Sequence, residues 1–321
     1  MRTMQIEYKP EGCLIGTPRN TELISSPAGL EYAMLHGIIL EAMAVLCDSN
    51  FDIHVDLGGI TGIISRDNIM FCRGEESVKD IAVLTRVGKP VCFKVTALEE
   101  KRGKLVPRLS RFEAQRECYH RYLNLLRPGD IIPARVTHLE NFGAFVDIGC
   151  GLVSLLAVDC ISVSRISHPR DRLSCGMDIM TVVKSNDTDT GRIYVTHREL
   201  LGTWEQNAAQ FSAGQTVAGI IRSIEQYGIF VELTPNLAGL AELRENKPPY
   251  GNVEPGQWAA VYIKNIIPQR MKIKLVLIDT HRGSVTPTSP EYFINTSSVD
   301  HIDRWRYSPE CCGRVIETVF D

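Results

Sequence analysis

The sequence predicts a mostly β protein, a tandem row of small five-stranded Greek-key barrels with short connecting helices, and three observations predict it. One phrase recurs: Phe142-Gly143-Ala144-Phe145-Val146-Asp147-Ile148-Gly149, then Tyr227-Gly228-Ile229-Phe230-Val231-Glu232-Leu233, and in weaker form Phe51-Asp52-Ile53-His54-Val55-Asp56-Leu57-Gly58. Repetition at about one small-domain period means an array of similar modules. Around each copy lie short alternating strands, about five in roughly 70 residues, as a small barrel requires. Between these clusters run stretches with apolar residues at helical spacing.

Residues 1–35 are punctuated by Pro10, Gly12, Pro18, Pro27 and Gly29 and read as an extended lead-in. Module 1 covers 36–110, with Val55, Leu57, Ile60, Ile63 and Ile64 around the Gly58-Gly59 turn. Residues 111–127 form a basic linker helix, with Ala114, Cys118, Tyr122 and Leu125 on one face and Arg127-Pro128-Gly129 ending it. Module 2 covers 128–198, a second linker helix 199–211, and module 3 212–280. Residues 281–321 form a tail too poor in apolar residues to fold alone; its Trp305 is expected to anchor it against the rest of the chain.

The bulk numbers narrow the function. With 321 residues, 44% hydrophobic and 23% charged, the chain is ordinary globular protein. No apolar run approaches the roughly 18 residues of a membrane span, and the opening residues lack a signal-peptide core, so a cytoplasmic protein without membrane contact is expected. The ten cysteines are scattered and read as buried thiols. No Cys-x-x-Cys pair exists, so no metal and no cofactor is expected. A net charge of −3 excludes a strongly cationic binder, since lysine and arginine supply most phosphate affinity through counterion release. Nucleic-acid binding would have to rest on local patches and stacking.

Strand alternation supplies the stacking groups. Ala144, Val146 and Ile148 share the inner face, which turns Phe145 and Asp147 outward; Ile229, Val231 and Leu233 likewise turn Phe230 and Glu232 outward. An outward ring offers a platform for a nucleobase, worth about 1–3 kcal/mol per base. Phe142 and Tyr227 sit before the glycine turn, where they bring a second ring to the same surface. The last strands add polar partners, Arg192 and Tyr194 in module 2 and Lys272 and Lys274 in module 3. The competing reading is that these rings pack against a neighbouring module or the tail. The linker's Lys101, Arg102, Lys104, Arg108, Arg111, Arg116, Arg121 and Arg127 face only Glu113 and Glu117; they read either as a phosphate contact or as a solvated face.

With Phe142-Gly-Ala-Phe145-Val-Asp-Ile-Gly, Gly151-Leu152-Val153, Ile166-Ser167-His168-Pro169 and Gly191-Arg192-Ile193, module 2 resembles the RNA-binding repeat of the ribosomal protein S1 family. Module 3 matches through Tyr227-Gly-Ile-Phe230-Val-Glu-Leu and Gly239-Leu240, and module 1 through Val55-Asp56-Leu57-Gly58-Gly59 and Gly62-Ile63-Ile64. The whole chain resembles short homologues of that protein from anaerobic Gram-positive bacteria. The resemblance implies an OB fold per repeat and RNA contacts from two aromatics, a histidine after the glycine turn, and an acid and an arginine near the last strand. The arginine falls on Arg192, with Asp187 or Asp189 as the acid. The histidine position falls on Ser154 in module 2, Ser65 in module 1 and Glu242 in module 3, so no repeat keeps the histidine. In module 1 the rings are Phe51 and His54, which makes it the poorest expected RNA binder.

The expected function is non-enzymatic: a monomer that holds single-stranded RNA, messenger RNA in the first place, in association with translation and the small ribosomal subunit. The alternatives are a protein-docking scaffold of a ribosomal or RNA-processing assembly and, more distantly, an accessory of a nuclease. No carboxylate cluster suited to two metals supports catalysis.

Overall fold

In the computed structural model, residues 8–72, 78–101, 103–187, 190–242, 253–283 and 287–321 are described. The N-terminal segment is not simply extended. Residues 8–14 form a strap, followed by helices α1 (Pro18–Ile24) and α2 (Pro27–His36). Both prolines open their helices, where the missing N–H has no helical partner to lose. Ser26 caps α2 by accepting from Gly29 N, and Gly37 closes it in the left-handed conformation.

Three closed barrels follow, each with its strands hydrogen-bonded in the order one, two, three, five, four. Module 1 comprises β1 (Leu40–Cys47), β2 (Ile53–Asp56), β3 (Thr61–Ile64), a short helix α3 (Asp80–Leu84), β4 (Pro90–Lys101) and β5 (Lys104–Ser110). Helix α4 (Arg111–Arg121), capped by Ser110, leads to module 2: β6 (Ile131–Glu140), β7 (Gly143–Asp147), β8 (Val153–Ala157), β9 (Asp178–Asp187) and β10 (Arg192–Thr196). Helix α5 (Trp204–Ala208), opened by a Thr203/Gln206 capping box, leads to module 3: β11 (Thr216–Glu225), β12 (Gly228–Thr234), β13 (Leu237–Glu242), β14 (Trp258–Ile267) and β15 (Lys272–His281). In every barrel the third and fifth strands pair in parallel, which closes the sheet and leaves no open edge. No helix of the described residues is long and apolar enough to cross a membrane.

The inward residues fill the barrels as alternation requires: Ala144, Val146, Ile148, Ile193 and Val195 are buried in module 2, and Ile229, Val231, Ile273 and Leu275 in module 3. On α4, Ala114 and Cys118 are buried, as is Tyr122 just past its end at Arg121, but Leu125 turns outward, 53% exposed.

The terminal segments bind the barrels together. Glu11 on the strap is buried, pairs bidentately with Arg111 at 2.6 and 2.9 Å, and accepts from Cys92 N of module 1. Its own N–H donates to Asp147 of module 2 at 2.7 Å, and Gly12 N and Leu14 N donate to Glu41 of module 1. The tail is likewise ordered by packing on other parts of the chain. Ile131 N donates to Asp300 O, β16 (Arg304–Arg306) pairs with β17 (Glu317–Val319), and Trp305 and Tyr307 pack into the core of module 3. Few apolar residues suffice because the modules supply the rest of the core. None of the ten cysteines is in a disulfide, but Cys175 and Cys311 are exposed and Cys13, Cys47 and Cys72 only half-buried, so the uniform burial expected of them does not hold.

Candidate nucleic-acid interface

The aromatic phrase builds the same surface twice. Gly143 is needed because a Cβ there would lie 2.5 Å from Leu156 O; at Gly228 it would lie 2.7 Å from Ala241 O. The close approach of the next strand bends the chain so that the ring before the glycine meets the ring two residues after it. Phe142 and Phe145 stand perpendicular with centroids 6.0 Å apart (89°), and Tyr227 and Phe230 repeat this at 6.1 Å and 89°. Phe142 is 55% and Tyr227 61% exposed, while Phe145 and Phe230 are half-buried beneath them. Edge-to-face contact holds each pair and leaves the outer rings, Phe142 and Tyr227, open to solvent.

Cross-strand register extends each pair into a row around the barrel. In module 2 it runs His138, Phe145, Leu155, Tyr194, Ser185, with the His138 ring stacked 6.4 Å from Phe145. In module 3 it runs Ser223, Phe230, Leu240, Lys274, Asn265. Arg192 and Lys272 project at the start of their last strands and are exposed; Lys274 is paired with Glu242 at 3.2 Å. Asp187 accepts from Thr190 N and Oγ1 and shapes the turn between β9 and β10. Asp189 lies outside the described residues.

Several expectations are corrected here. Asp147 and Glu232 do leave the barrel on the ring face, but both are buried, because other segments cover them. Asp147 accepts from Glu11 N, Gly149 N and Gly151 N; burial, followed by the charge of Glu11, pushes its carboxyl up. Glu232 is held by Arg222 of its own barrel and by Arg172 of module 2. Ser154 cannot take the histidine position: it points inward, is buried, and donates to Ile193 O at 2.7 Å. Gly143 opposes Ala157 as Gly228 opposes Glu242, so register places Ala157 at that position. Sequence alone missed this because Ser154-Leu155-Leu156 gives no phase cue.

In module 1 the corresponding row is Leu46, His54, Ile63, Arg108, Ala97. Here His54 pairs with Asp48 at 3.2 Å, and Phe51, at φ 63°, has the guanidinium of Arg66 5.1 Å from its ring centroid. The basic linker is neutralised only in part: Lys101 and Arg108 share Glu99, Arg116 pairs with Glu113, and Arg111 with buried Glu11, whereas Lys104, Arg121 and Arg127 make no ion pair among the described residues. Arg102 lies outside the described residues. No group of three or more potential metal ligands occurs among the described residues.

Residues 125–198 match the sequence model of the S1 RNA binding domain. Small ribosomal subunit protein bS1 of Rhizobium meliloti is 27% identical over 235 residues, 70% of this chain and 40% of that protein. The protein of the same name from Staphylococcus aureus (strain COL) is 30% identical over 208 residues, 62% of this chain and 52% of that protein. The chain thus spans about half the length, or less, of these relatives. Among solved structures, a multidomain protein with nucleic acid binding domains from Streptococcus pneumoniae is similar at 16% identity over 75% of this chain and 73% of that one, with a TM-score of 0.24.

Proposed function

We propose that this chain, which belongs to the S1 family, is a non-enzymatic protein that holds single-stranded RNA on the ring rows of modules 2 and 3. The observation that carries the reading is the perpendicular ring pair built twice with the same spacing and angle, each with one ring well exposed. Nucleobases stack on such rings with little regard to sequence, while phosphates meet the exposed Arg192 and Lys272. One module supplying about −4 kcal/mol would bind only near millimolar, so useful affinity comes from two modules on one strand. The names of the relatives support a place in translation beside the small ribosomal subunit; messenger RNA as the strand, a cytoplasmic location and a monomeric chain are part of the proposal.

The test is fluorescence anisotropy with a labelled oligouridylate and a duplex of equal length. The wild type is expected to prefer the single strand, and Phe145→Ala with Phe230→Ala to weaken it at least tenfold, as about 1–3 kcal/mol per stacked base requires. Unchanged affinity in the double variant refutes the stacking reading.

A second reading concerns module 1. Met43, Val45 and Leu46 on β1 and Ile81, Leu84 and Val87 in and after α3 are exposed apolar residues, and Gly88 N donates to Ala44 O, which brings the two segments together. Such a patch suits a protein partner. Co-sedimentation with ribosomes that survives nuclease treatment and is lost in Val45→Asp supports it; binding abolished by nuclease alone refutes it.

A further inference from the structure

The loop between β8 and β9, residues 158–177, leaves module 2 beside its ring pair, docks on module 3 and returns to module 2, where Gly176 N donates to Val136 O. It departs at the ring pair: Val158 N donates to Phe142 O at 2.9 Å. It then docks on module 3. Val163 packs on that barrel's core and its N–H donates to Asn236 Oδ1 at 2.9 Å, and Ser164 N donates to Pro235 O at 3.0 Å. Asp171 meets Arg222 at 3.4 Å, and Arg172 reaches Glu232. Glu232 lies two residues from Phe230 on the same strand face, about 7 Å along β12.

This docking is rigid. Asn236 is fully buried: its side-chain amide donates to Arg198 O and Gly202 O, both at 2.8 Å, and its backbone carbonyl accepts from Tyr307 OH at 2.6 Å. Glu232 shares its carboxylate between Arg172 and Arg222, a buried arrangement in which removing one partner is costly. The two ring pairs are therefore held at a fixed separation, with the loop spanning the gap.

Between its two contacts with module 3, at Ser164 and at Asp171, the loop carries Arg165 and Arg170, both exposed and neither in an ion pair among the described residues. That sets them apart from Arg135, Arg172, Arg198 and Arg222, each of which holds an acid. His168 steadies the turn, its Nδ1 accepting from Arg170 N at 3.0 Å. The acids of this stretch are Asp171, engaged by Arg222 and Ser167, and exposed Asp159 at the module 2 end.

We propose that Arg165 and Arg170 form a phosphate-binding site at the junction, gripping the backbone of a single RNA strand where it crosses from the module 2 rings to the module 3 rings. The site rests on the RNA-binding reading given above. It makes modules 2 and 3 one continuous track whose added affinity appears only with RNA long enough to bridge them.

The test compares the intact chain with an Arg165→Ala/Arg170→Ala variant on two oligouridylates, about 4 and about 20 nucleotides long, the shorter at the lower end of one OB-fold site. On the long strand the variant is expected to bind about tenfold more weakly, with a salt slope shallower by about 1.4, two phosphates at about 0.7 each. On the short strand the two proteins are expected to agree within about twofold. An unchanged long-strand affinity and slope, or an equal loss on both lengths, overturns the junction site while leaving the ring site standing. Failure of the wild type to bind either strand overturns the RNA-binding reading itself. Arg165→Lys/Arg170→Lys is expected to retain most of the long-strand affinity; if it loses as much as the alanine variant, positive charge is not what the site supplies.

Discussion

Module 2 and module 1 close five strands in the same order, yet the outer row reads His138, Phe145, Leu155, Tyr194, Ser185 in one and Leu46, His54, Ile63, Arg108, Ala97 in the other. In module 2 the Phe142 and Phe145 rings touch each other, and Phe142 stays open to solvent. In module 1 the comparable groups are satisfied within the barrel: Asp48 engages His54, Arg66 sits by Phe51, and Glu99 takes Arg108. The fold sets where a row must lie, and the neighbours of each side chain decide whether the row is open to a ligand. Module 1 spends its polar groups on structure, above all on its junction with module 2.

Arg111→Met is the harshest way to probe that division. It leaves Glu11 buried without its bidentate partner, and removing one member of a buried pair costs about 3–5 kcal/mol. Urea unfolding should show that loss, while RNA affinity measured under folding conditions stays within about twofold. A large loss of affinity would mean that module 1 contributes to the RNA site after all. Next in size are the rings. Phe145→Ala is expected to lower single-strand affinity by about 1–3 kcal/mol, and His54→Ala by less than about 0.5 kcal/mol. Equal losses from the two, read by anisotropy at one salt concentration, would erase the contrast between the modules.

The reverse exchange sharpens it. His54→Phe, combined with Asp48→Asn to release the acid, gives module 1 an outward ring where Phe145 stands in module 2. A gain of up to about 1 kcal/mol on long RNA is expected, modest because Arg66 still occupies the space by Phe51. No gain would show that the ring alone does not make a platform and that the perpendicular pair is required.

The barrels and the rings were legible because alternation and the aromatic-glycine turn are local rules, written within eight residues of one strand. The coverings were not. Asp147 is buried by a strap residue 136 positions away and Glu232 by an arginine 60 positions away, so nothing near either acid in the sequence announces its partner. Ser154 failed for a different reason. The chain from Gly149 to Gly151 carries unusual backbone, with Cys150 at φ 50°, so strand phase does not carry across that turn and the position falls three residues further on, at Ala157. The prolines at 18 and 27 misled because a proline is equally at home before a helix and inside its first turn.

The smallest expected effect isolates the module 1 side of the strap. Glu41 accepts from Gly12 N and Leu14 N but makes no ion pair among the described residues, and burial pushes its carboxyl up to about 7 from 4.5. A raised carboxyl means the folded chain holds a proton that the unfolded chain has released. The stability this contributes is full below about pH 4.5 and is lost as pH rises through about 7. Asp147, also raised, acts in the same direction, whereas in Glu11 the pairing with Arg111 outweighs burial and lowers the carboxyl. Glu41→Gln keeps an oxygen to accept from both strap N–H groups and removes the charge. The difference in urea midpoint between variant and wild type should therefore grow in favour of the variant from pH 5 to pH 8. A difference that stays flat across that range would place the Glu41 carboxyl in ordinary solvent contact and the strap's hold on module 1 elsewhere.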